Sequence, residues 1–202
     1  MIGIRTHLAR FRRNERGAAL IEFAFVAPVF IVMVMGALDI GYRVYLQSVI
    51  TGTVEAVARK SAVGGMTTTQ VDSEIVRNVK LILPKSARSK SSTIQITKKS
   101  YDNFSAVGNP EKITSDTVPV GTYNAGDCYE DANRNNTYDA SGGSTGIGGA
   151  EDVIYYQVDV QFPRLFPMAG LLGWSTEQKS TMKTIVRNQP YGAQPTPPVR
   201  CS

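Results

Sequence analysis

The sequence predicts an α+β protein in which one long N-terminal helix leads from a membrane-spanning part into an outer domain with a small antiparallel sheet. Three observations support this fold class. A continuous apolar run occupies residues 18–38. Helical spacing of apolar residues then continues as far as Gly64 and Gly65. Finally, apolar and polar residues alternate over residues 153–162, which predicts a strand with one buried face.

The apolar run of residues 18–38 has the length and composition of a membrane-spanning helix. Glu22 is its only charged residue, and at 1.5 Å per residue it measures about 31 Å, close to the thickness of a hydrocarbon core. Residues 1–17 contain five arginines and a single glutamate. By the positive-inside rule, this basic segment predicts a cytoplasmic N-terminus and places the rest of the chain outside.

The helix is expected to continue beyond the membrane through residues 39–65. Its apolar positions recur at three- and four-residue spacings and are Val44, Leu46, Val49, Ile50, Val54, Val57 and Ala58. Gly64 and Gly65 predict its end. Asp39 marks the boundary of the apolar run, and Arg43, four residues further on, is placed to pair with it.

Residues 66–202 are expected to form the outer domain. An amphipathic helix, capped by Thr68 or Thr69 and stopped by Pro84, comes first. Its apolar stripe consists of Val71, Ile75, Val76, Val79 and Ile82. Strands are predicted at residues 92–99, 153–162 and 180–188. We expect them to form an antiparallel sheet packed on the outer part of the long helix.

An apolar loop at residues 163–174 separates the last two strands and is too short to span a membrane. Its large apolar residues are Leu165, Phe166, Met168, Leu171, Leu172 and Trp174. The loop either covers the core or forms a contact surface for another subunit or for the outer leaflet.

The two cysteines, Cys128 and Cys201, are both predicted to lie outside the cytoplasm. In an oxidising compartment they would most simply form one disulfide, which would tie the proline-rich C-terminal segment to the middle of the domain. The alternative is a pair of free thiols.

Residues 131–139 match part of an EF-hand-like calcium loop. Positions 1, 3, 5, 7 and 9 are filled by Asp131, Asn133, Asn135, the Thr137 carbonyl and Asp139. Position 6 is Asn136 instead of glycine, and position 12 is Gly142 instead of glutamate. Glu151 or Asp152 would replace that glutamate only if the glycine-rich segment folds back. The alternative is a polar turn in which Asn and Asp side chains bond their own backbone.

The start of the apolar run resembles a known family. Gly17 is followed by four apolar residues and Glu22, with arginines before and a long apolar helix after. The run at residues 15–59, with its Arg-Gly, Glu-Phe, Ala-Pro and Gly-x-x-Asp-x-Gly features, resembles the TadE-like pseudopilins of the tight-adherence (Tad, Flp) pilus systems. Residues 180–190 also resemble the closing strand of that family.

The resemblance implies a type IV pilin-like protein with a pilin-like α+β outer domain. A membrane-embedded prepilin peptidase would cut between Gly17 and Ala18 and remove the leader of residues 1–17. The new amine of Ala18 would then lie four residues from Glu22, or Glu22 would reach the amine of a neighbouring subunit. Phe23 stands where major Flp pilins have a tyrosine, and the chain is longer than those pilins, so the resemblance implies a minor pilin or pseudopilin.

The implied setting is a bacterial inner membrane, with a single span, a cytoplasmic N-terminus and the outer domain in the periplasm or in a surface pilus used for adhesion. The implied partners are the prepilin peptidase, other pilin subunits of the Tad system and inner-membrane lipid. The alternative is an uncleaved membrane-anchored binding module with a calcium-stabilised loop, in which Glu22 reaches the headgroups at the membrane edge.

Composition argues against nucleic-acid binding and against catalysis. Most of the formal net charge of +5 belongs to residues 1–17, so the outer domain has no strong basic character. The single histidine, His7, lies in the same segment, which would leave a mature chain without histidine-dependent triads or metal sites. A membrane-tethered hydrolase with paired carboxylates is the weaker alternative, and the spacing of acidic residues singles out no pair.

Overall fold

The computed structural model describes residues 16–85, 94–166, 170, 173–189 and 192–201. In these ranges a long apolar helix is followed by a second helix and by antiparallel strands. This arrangement confirms the α+β fold class. Most of the predicted leader, including His7, lies outside the described residues, as do three of the large apolar residues of the loop, namely Met168, Leu171 and Leu172.

The chain divides into two compact units. The first contains the chain up to Val44 together with Arg164–Thr176, and the second contains Tyr45–Pro163 and Glu177–Ser202. The long helix contributes residues to both units, whereas both sheets lie in the second.

The first helix, α1, runs from Arg16 to Ala62, as the apolar periodicity predicts. It ends because Gly64 and Gly65 adopt φ values of 101° and 85°, a left-handed conformation that glycine adopts without a steric penalty. In the second unit one face of α1 is buried, and that face consists of Leu46, Ile50, Val54, Val57, Ala58 and Ala62.

The second helix, α2, runs from Thr68 to Ile82. Its cap is Thr67, so the predicted cap at Thr68 or Thr69 is wrong. The reason is a capping box, in which the Thr67 hydroxyl accepts a hydrogen bond from the Gln70 N–H while the Gln70 side chain accepts one from the Thr67 N–H. The buried positions of the predicted stripe are Val71, Ile75 and Val79, whereas Val76 and Ile82 are half-buried.

Seven strands are seen in the described ranges. They are β1 (Ile94–Tyr101), β2 (Ile113–Ser115), β3 (Cys128–Glu130), β4 (Ser144–Thr145), β5 (Val153–Pro163), β6 (Glu177–Arg187) and β7 (Val199–Cys201). The main sheet is antiparallel with the order β4-β1-β5-β6. The sequence located the three long strands, although β6 begins three residues before the predicted start at Ser180.

Alternation on β5 is confirmed, and it forms the sheet side of the core. The buried residues are Ile154, Tyr156, Val158, Val160 and Phe162, none more than 1 % exposed. The Tyr156 hydroxyl lies 2.7 Å from the Ser61 hydroxyl of α1, so the sheet packs on the outer part of this helix as expected.

A second sheet, with the order β2-β3-β7, was not predicted. Its strands have three residues each, too few to show an alternating pattern. Cys128 of β3 and Cys201 of β7 lie opposite each other and are joined by the predicted disulfide, which spans 73 residues of sequence. The C-terminal segment is thereby tied to the middle of the chain.

Candidate functional site

Gly17 and Ala18 lie in the first turn of α1. A Cβ atom added to Gly17 would meet no heavy atom within 4 Å among the described residues, and Gly17 is not among the glycines with a positive φ. The described part of the fold therefore gives no structural reason for a glycine at this position.

Glu22 lies one turn after Ala18 on the same side of α1, at the i,i+4 spacing. Its side chain is exposed. Among the residues that the structure describes, no hydrogen bond or ion pair to Glu22 is seen. Because the flanking residues are apolar, this carboxylate would need a cationic partner in any apolar environment.

The apolar part of α1 exposes nearly all of its large side chains. Phe25 is 79 % exposed, and Leu20 and Met33 are each 70 % exposed. Within the described residues, α1 is the one helix that is long and apolar enough to cross a membrane. Exposure of this much apolar surface to water is unfavourable, and the helix therefore suggests membrane anchoring.

Asp39, the first residue after the apolar run, holds the loop between β5 and β6. Its Oδ2 lies 2.7 Å from Arg164 Nη1, and its Oδ1 accepts a hydrogen bond of 3.0 Å from the Leu165 N–H. The predicted partner, Arg43, is not the residue that pairs with Asp39. Sequence reasoning missed Arg164, because 125 residues separate it from Asp39 and no local spacing links the two.

Arg164 also closes the base of this loop. Its backbone N–H donates to the Thr176 carbonyl at 3.0 Å, and its Nε–H donates to the Ser175 carbonyl at 2.9 Å. The guanidinium lies 5.9 Å from the ring centroid of Trp174, within cation–π range. One side chain thus joins both ends of the loop to Asp39.

Two of the three large apolar residues of the loop that the structure describes are exposed. Leu165 is 49 % exposed and Trp174 is 61 % exposed, whereas Phe166 is half-buried. The interpretation that the loop covers a core is therefore wrong for these two residues, and a contact surface remains.

The predicted calcium loop is tightly coiled through its own hydrogen bonds. Asp131 is fully buried, and its carboxylate accepts the N–H groups of Asn135 and Asn136 at 3.0 Å each. The side-chain amides of Asn133 and Asn135 both donate to one oxygen of Asp139. Asn136 has a φ of 63°, which is the left-handed conformation that position 6 requires.

Glu111, which sequence reasoning missed, fastens this loop at both ends. Its carboxylate accepts the N–H of Ala132 at 2.9 Å and the N–H of Asp139 at 3.0 Å. Burial raises the pKa of Glu111, although these hydrogen bonds partly oppose the shift. A Cβ at Gly142 would lie 2.6 Å from the Glu111 Cγ, so a side chain at position 12 would collide with Glu111.

The proposed replacements for the missing position-12 ligand have other partners. Glu151 pairs with Arg187 at 2.7 Å. Asp152 accepts hydrogen bonds from the Gly149 N–H at 2.7 Å and from the Gln194 side chain at 2.9 Å. Within the described ranges no group of three or more His, Cys, Asp or Glu residues is arranged to hold a metal. The calcium site at residues 131–139 remains a prediction.

A comparison with known families identifies the N-terminal part of the chain. The model of the family described as TadE-like protein matches residues 17–59. Comparison with curated proteins and with solved structures gave no significant match. The matched segment begins at Gly17 and includes Glu22 and Asp39. Residues 17–59, which form most of α1, are therefore a TadE-like domain.

Proposed function

We propose that this chain is a minor pilin or pseudopilin that a prepilin peptidase cuts between Gly17 and Ala18 and that takes part in assembly of a Tad-type pilus. Its role is structural, not catalytic. The observation that carries the proposal is an apolar helix with nearly all of its large side chains exposed. Near its start are a glycine and an acid, Gly17 and Glu22, that have no structural role among the described residues.

The exposed part of α1 supports insertion first into lipid and then among the helices of other subunits. Both environments satisfy a helix that is apolar on all sides, because neither exposes its surface to water. Transfer between them requires no refolding of α1. This property suits a subunit that waits in the inner membrane before joining a fibre.

Cleavage after Gly17 would give Glu22 a cationic partner, which no residue in the described part of the chain supplies. The new Ala18 amine carries a positive charge and lies at the i,i+4 position in the same helix. In a helix bundle the same carboxylate can instead reach the amine of the next subunit. A pairing of this kind sets how far each helix advances relative to its neighbour.

The disulfide supports placement of the outer domain in the periplasm. Cysteines persist as disulfides in oxidising compartments and are kept reduced in the cytoplasm. If Cys128 and Cys201 are cross-linked in cells, the chain beyond the membrane span lies outside, and the N-terminus lies inside. Blocking free thiols before denaturation and then comparing reduced and unreduced chains by mass tests this orientation.

Intact mass and N-terminal sequencing of the membrane-extracted chain test the processing step. A mature chain that begins at Ala18 is expected. Gly17→Leu should retain the leader, because a bulky side chain obstructs access to the cleaved bond. Gly36→Leu is the matched control, since an added Cβ at this helical glycine also meets no described atom within 4 Å.

A wild-type chain that keeps its arginine-rich leader would reject the pilin model and favour an uncleaved anchor. Normal maturation of Gly17→Leu would reject the assigned cleavage position. If Gly36→Leu also failed to mature, the defect would lie in helix insertion, and processing would need to be tested with Gly17→Ala.

A further inference from the structure

The loop segments Arg164–Phe166 and Gly173–Thr176, here called the loop base, lie against α1 where its apolar run ends. Both segments belong to the first unit, together with Asp39. Asp39 is directly attached through the Arg164 guanidinium and the Leu165 N–H. The loop base is thus fixed to one defined height along α1.

That height is set by the length of the apolar run. Residues 18–38 measure about 31 Å as a helix, which matches the thickness of the hydrocarbon core. When this run crosses a membrane, Asp39 lies where hydrocarbon gives way to headgroups. The loop base is held at the same level, because its link to Asp39 is direct.

The side chains of the loop base suit that level. Trp174 and Leu165 are exposed, whereas the charged groups of Asp39 and Arg164 are largely enclosed by each other, with side-chain exposures of 13 % and 23 %. Tryptophan prefers the headgroup region, where its ring is sheltered and its N–H remains close to water. Pairing of Asp39 with Arg164 reduces the cost of placing the two charges beside lipid.

We propose that the loop base is a membrane-interface anchor that rests in the headgroup layer of the outer leaflet, with Trp174 and Leu165 in contact with lipid. The occupant of this surface is a phospholipid bilayer. Lipid is favoured over a protein partner because the loop base is attached to α1 at Asp39, directly after the exposed apolar run. The inference rests on the proposed membrane span of α1.

This anchor would limit movement of α1 along the membrane normal. An apolar helix can slide by a residue or two at modest cost, since its surface is uniform. Because Trp174 is linked to α1 through Asp39 and Arg164, it would move with the helix. A slide of α1 would therefore take Trp174 out of the headgroup layer that it prefers. The ion pair therefore acts by positioning the aromatic residue.

Trp174 is the only tryptophan of the 202-residue chain, so fluorescence excited at a wavelength that tyrosine does not absorb reports on the loop base alone. The full chain is reconstituted into vesicles of phosphatidylethanolamine and phosphatidylglycerol that contain lipids with a nitroxide quencher either near the headgroup or near the bilayer centre. The shallow quencher should reduce Trp174 emission more than the deep one, as expected for an interfacial tryptophan.

Two variants test the role of the ion pair. Asp39→Ala and Arg164→Ala should both reduce quenching by the shallow lipid, because the loop base is released. Arg187→Ala is the matched control, since it removes an arginine that forms an ion pair of the same 2.7 Å length, with Glu151. Quenching in the control should equal that of the wild type.

Several outcomes would overturn the proposal. Trp174 emission that is unaffected by either lipid quencher, in vesicles that retain the chain after alkaline extraction, would reject the interface anchor while leaving the membrane span intact. Loss of quenching of Trp174 by the nitroxide lipids at high protein-to-lipid ratio, but not at low ratio, would show that a second copy of the chain covers the loop base. That result would reject lipid as its occupant. Loss of the chain from the vesicles on alkaline extraction would reject both the span and the anchor.

Discussion

The hydroxyl groups of Ser61 and Tyr156, which are 95 residues apart in sequence, lie 2.7 Å from each other in the core between α1 and β5. Ser61 donates its own hydrogen to the Ala58 carbonyl at 2.8 Å. Tyr156 must therefore be the donor in the contact between the two hydroxyls. Because Tyr156 donates to Ser61 and Ser61 donates to Ala58, the two hydroxyls should contribute different amounts to the free energy of unfolding.

Removing the two hydroxyls should have different effects. Tyr156→Phe leaves Ser61 bonded to Ala58 and should lower the free energy of unfolding by about 1 kcal/mol. Ser61→Ala leaves a buried tyrosine hydroxyl without an acceptor and should cost about 1–3 kcal/mol. Urea unfolding of the detergent-solubilised full chain, followed by near-ultraviolet circular dichroism, measures both.

Tyr155→Phe serves as the control, because the Tyr155 hydroxyl is bonded to Gln157 outside the core contact. A larger loss for Tyr156→Phe than for Ser61→Ala would show that the donor assignment is wrong.

Long periodic segments of this fold could be predicted from the sequence because their pattern is local. The apolar run and spacing of α1 and the alternation along β5 each repeat many times, so one irregular residue does not hide them. The predicted cap of α2 is one or two residues too late, because Thr67, Thr68 and Thr69 are equivalent caps until the hydrogen bond from the Thr67 N–H to the Gln70 side chain is considered.

The contacts that build the candidate sites could not be predicted in the same way. The ion pair between Arg164 and Asp39 and the hydrogen bonds from the loop at residues 131–139 to Glu111 join residues that are far apart in sequence. They form only when the whole chain has folded. The sheet of β2, β3 and β7 is held by long-range pairing of three-residue strands and by one disulfide. For the disulfide the sequence did carry a signal, since only two cysteines were available to pair.

Asp127 should make the outer domain sensitive to acid. Hydrogen bonds from the Thr117 N–H and hydroxyl, both 2.7 Å, and from the Asn124 N–H at 2.8 Å hold its pKa below the usual value, although burial acts in the opposite direction. Because the folded pKa is lower than the unfolded one, ionised Asp127 stabilises the fold above about pH 4. That stabilisation is lost as the pH falls through the folded pKa.

Asp127→Asn should therefore unfold at lower urea concentration than the wild type at pH 7, and the difference should shrink as the pH falls below about 4. Urea midpoints measured at a series of pH values provide the test. Asp116→Asn is the control, because exposed Asp116 accepts one N–H bond, from Gly121. A difference between wild type and Asp127→Asn that is constant with pH would contradict the assignment.

The calcium prediction can be tested separately from any pilus function. If residues 131–139 bind the ion, the thermal midpoint of the wild-type chain should rise when calcium replaces a chelator, by an amount equivalent to about 2.7 kcal/mol at a calcium concentration of one hundred times Kd. Asp139→Asn should abolish most of this rise. The same Asp116→Asn variant should retain it.

Equal wild-type midpoints in calcium and in chelator would support the polar-turn interpretation, in which the loop is complete through the hydrogen bonds of Asp131, Asn135 and Asp139. A rise that survives in Asp139→Asn would place any calcium site elsewhere in the chain.

Glu22 should matter for assembly and not for cleavage. Glu22→Ala keeps Gly17 and Ala18 accessible, so the mature N-terminus should still form. Loss of the carboxylate leaves the Ala18 amine unpaired among apolar helices, and pilus number should fall about tenfold or more. Electron microscopy of sheared pili measures assembly, and intact mass of the membrane-extracted chain measures cleavage.

Glu55→Ala is the control, because it removes an exposed ion pair with Arg59 in the same helix. It should leave both assembly and cleavage unchanged. Normal pilus numbers in Glu22→Ala would remove the role of Glu22 in helix register, and loss of cleavage would move that role to peptidase recognition.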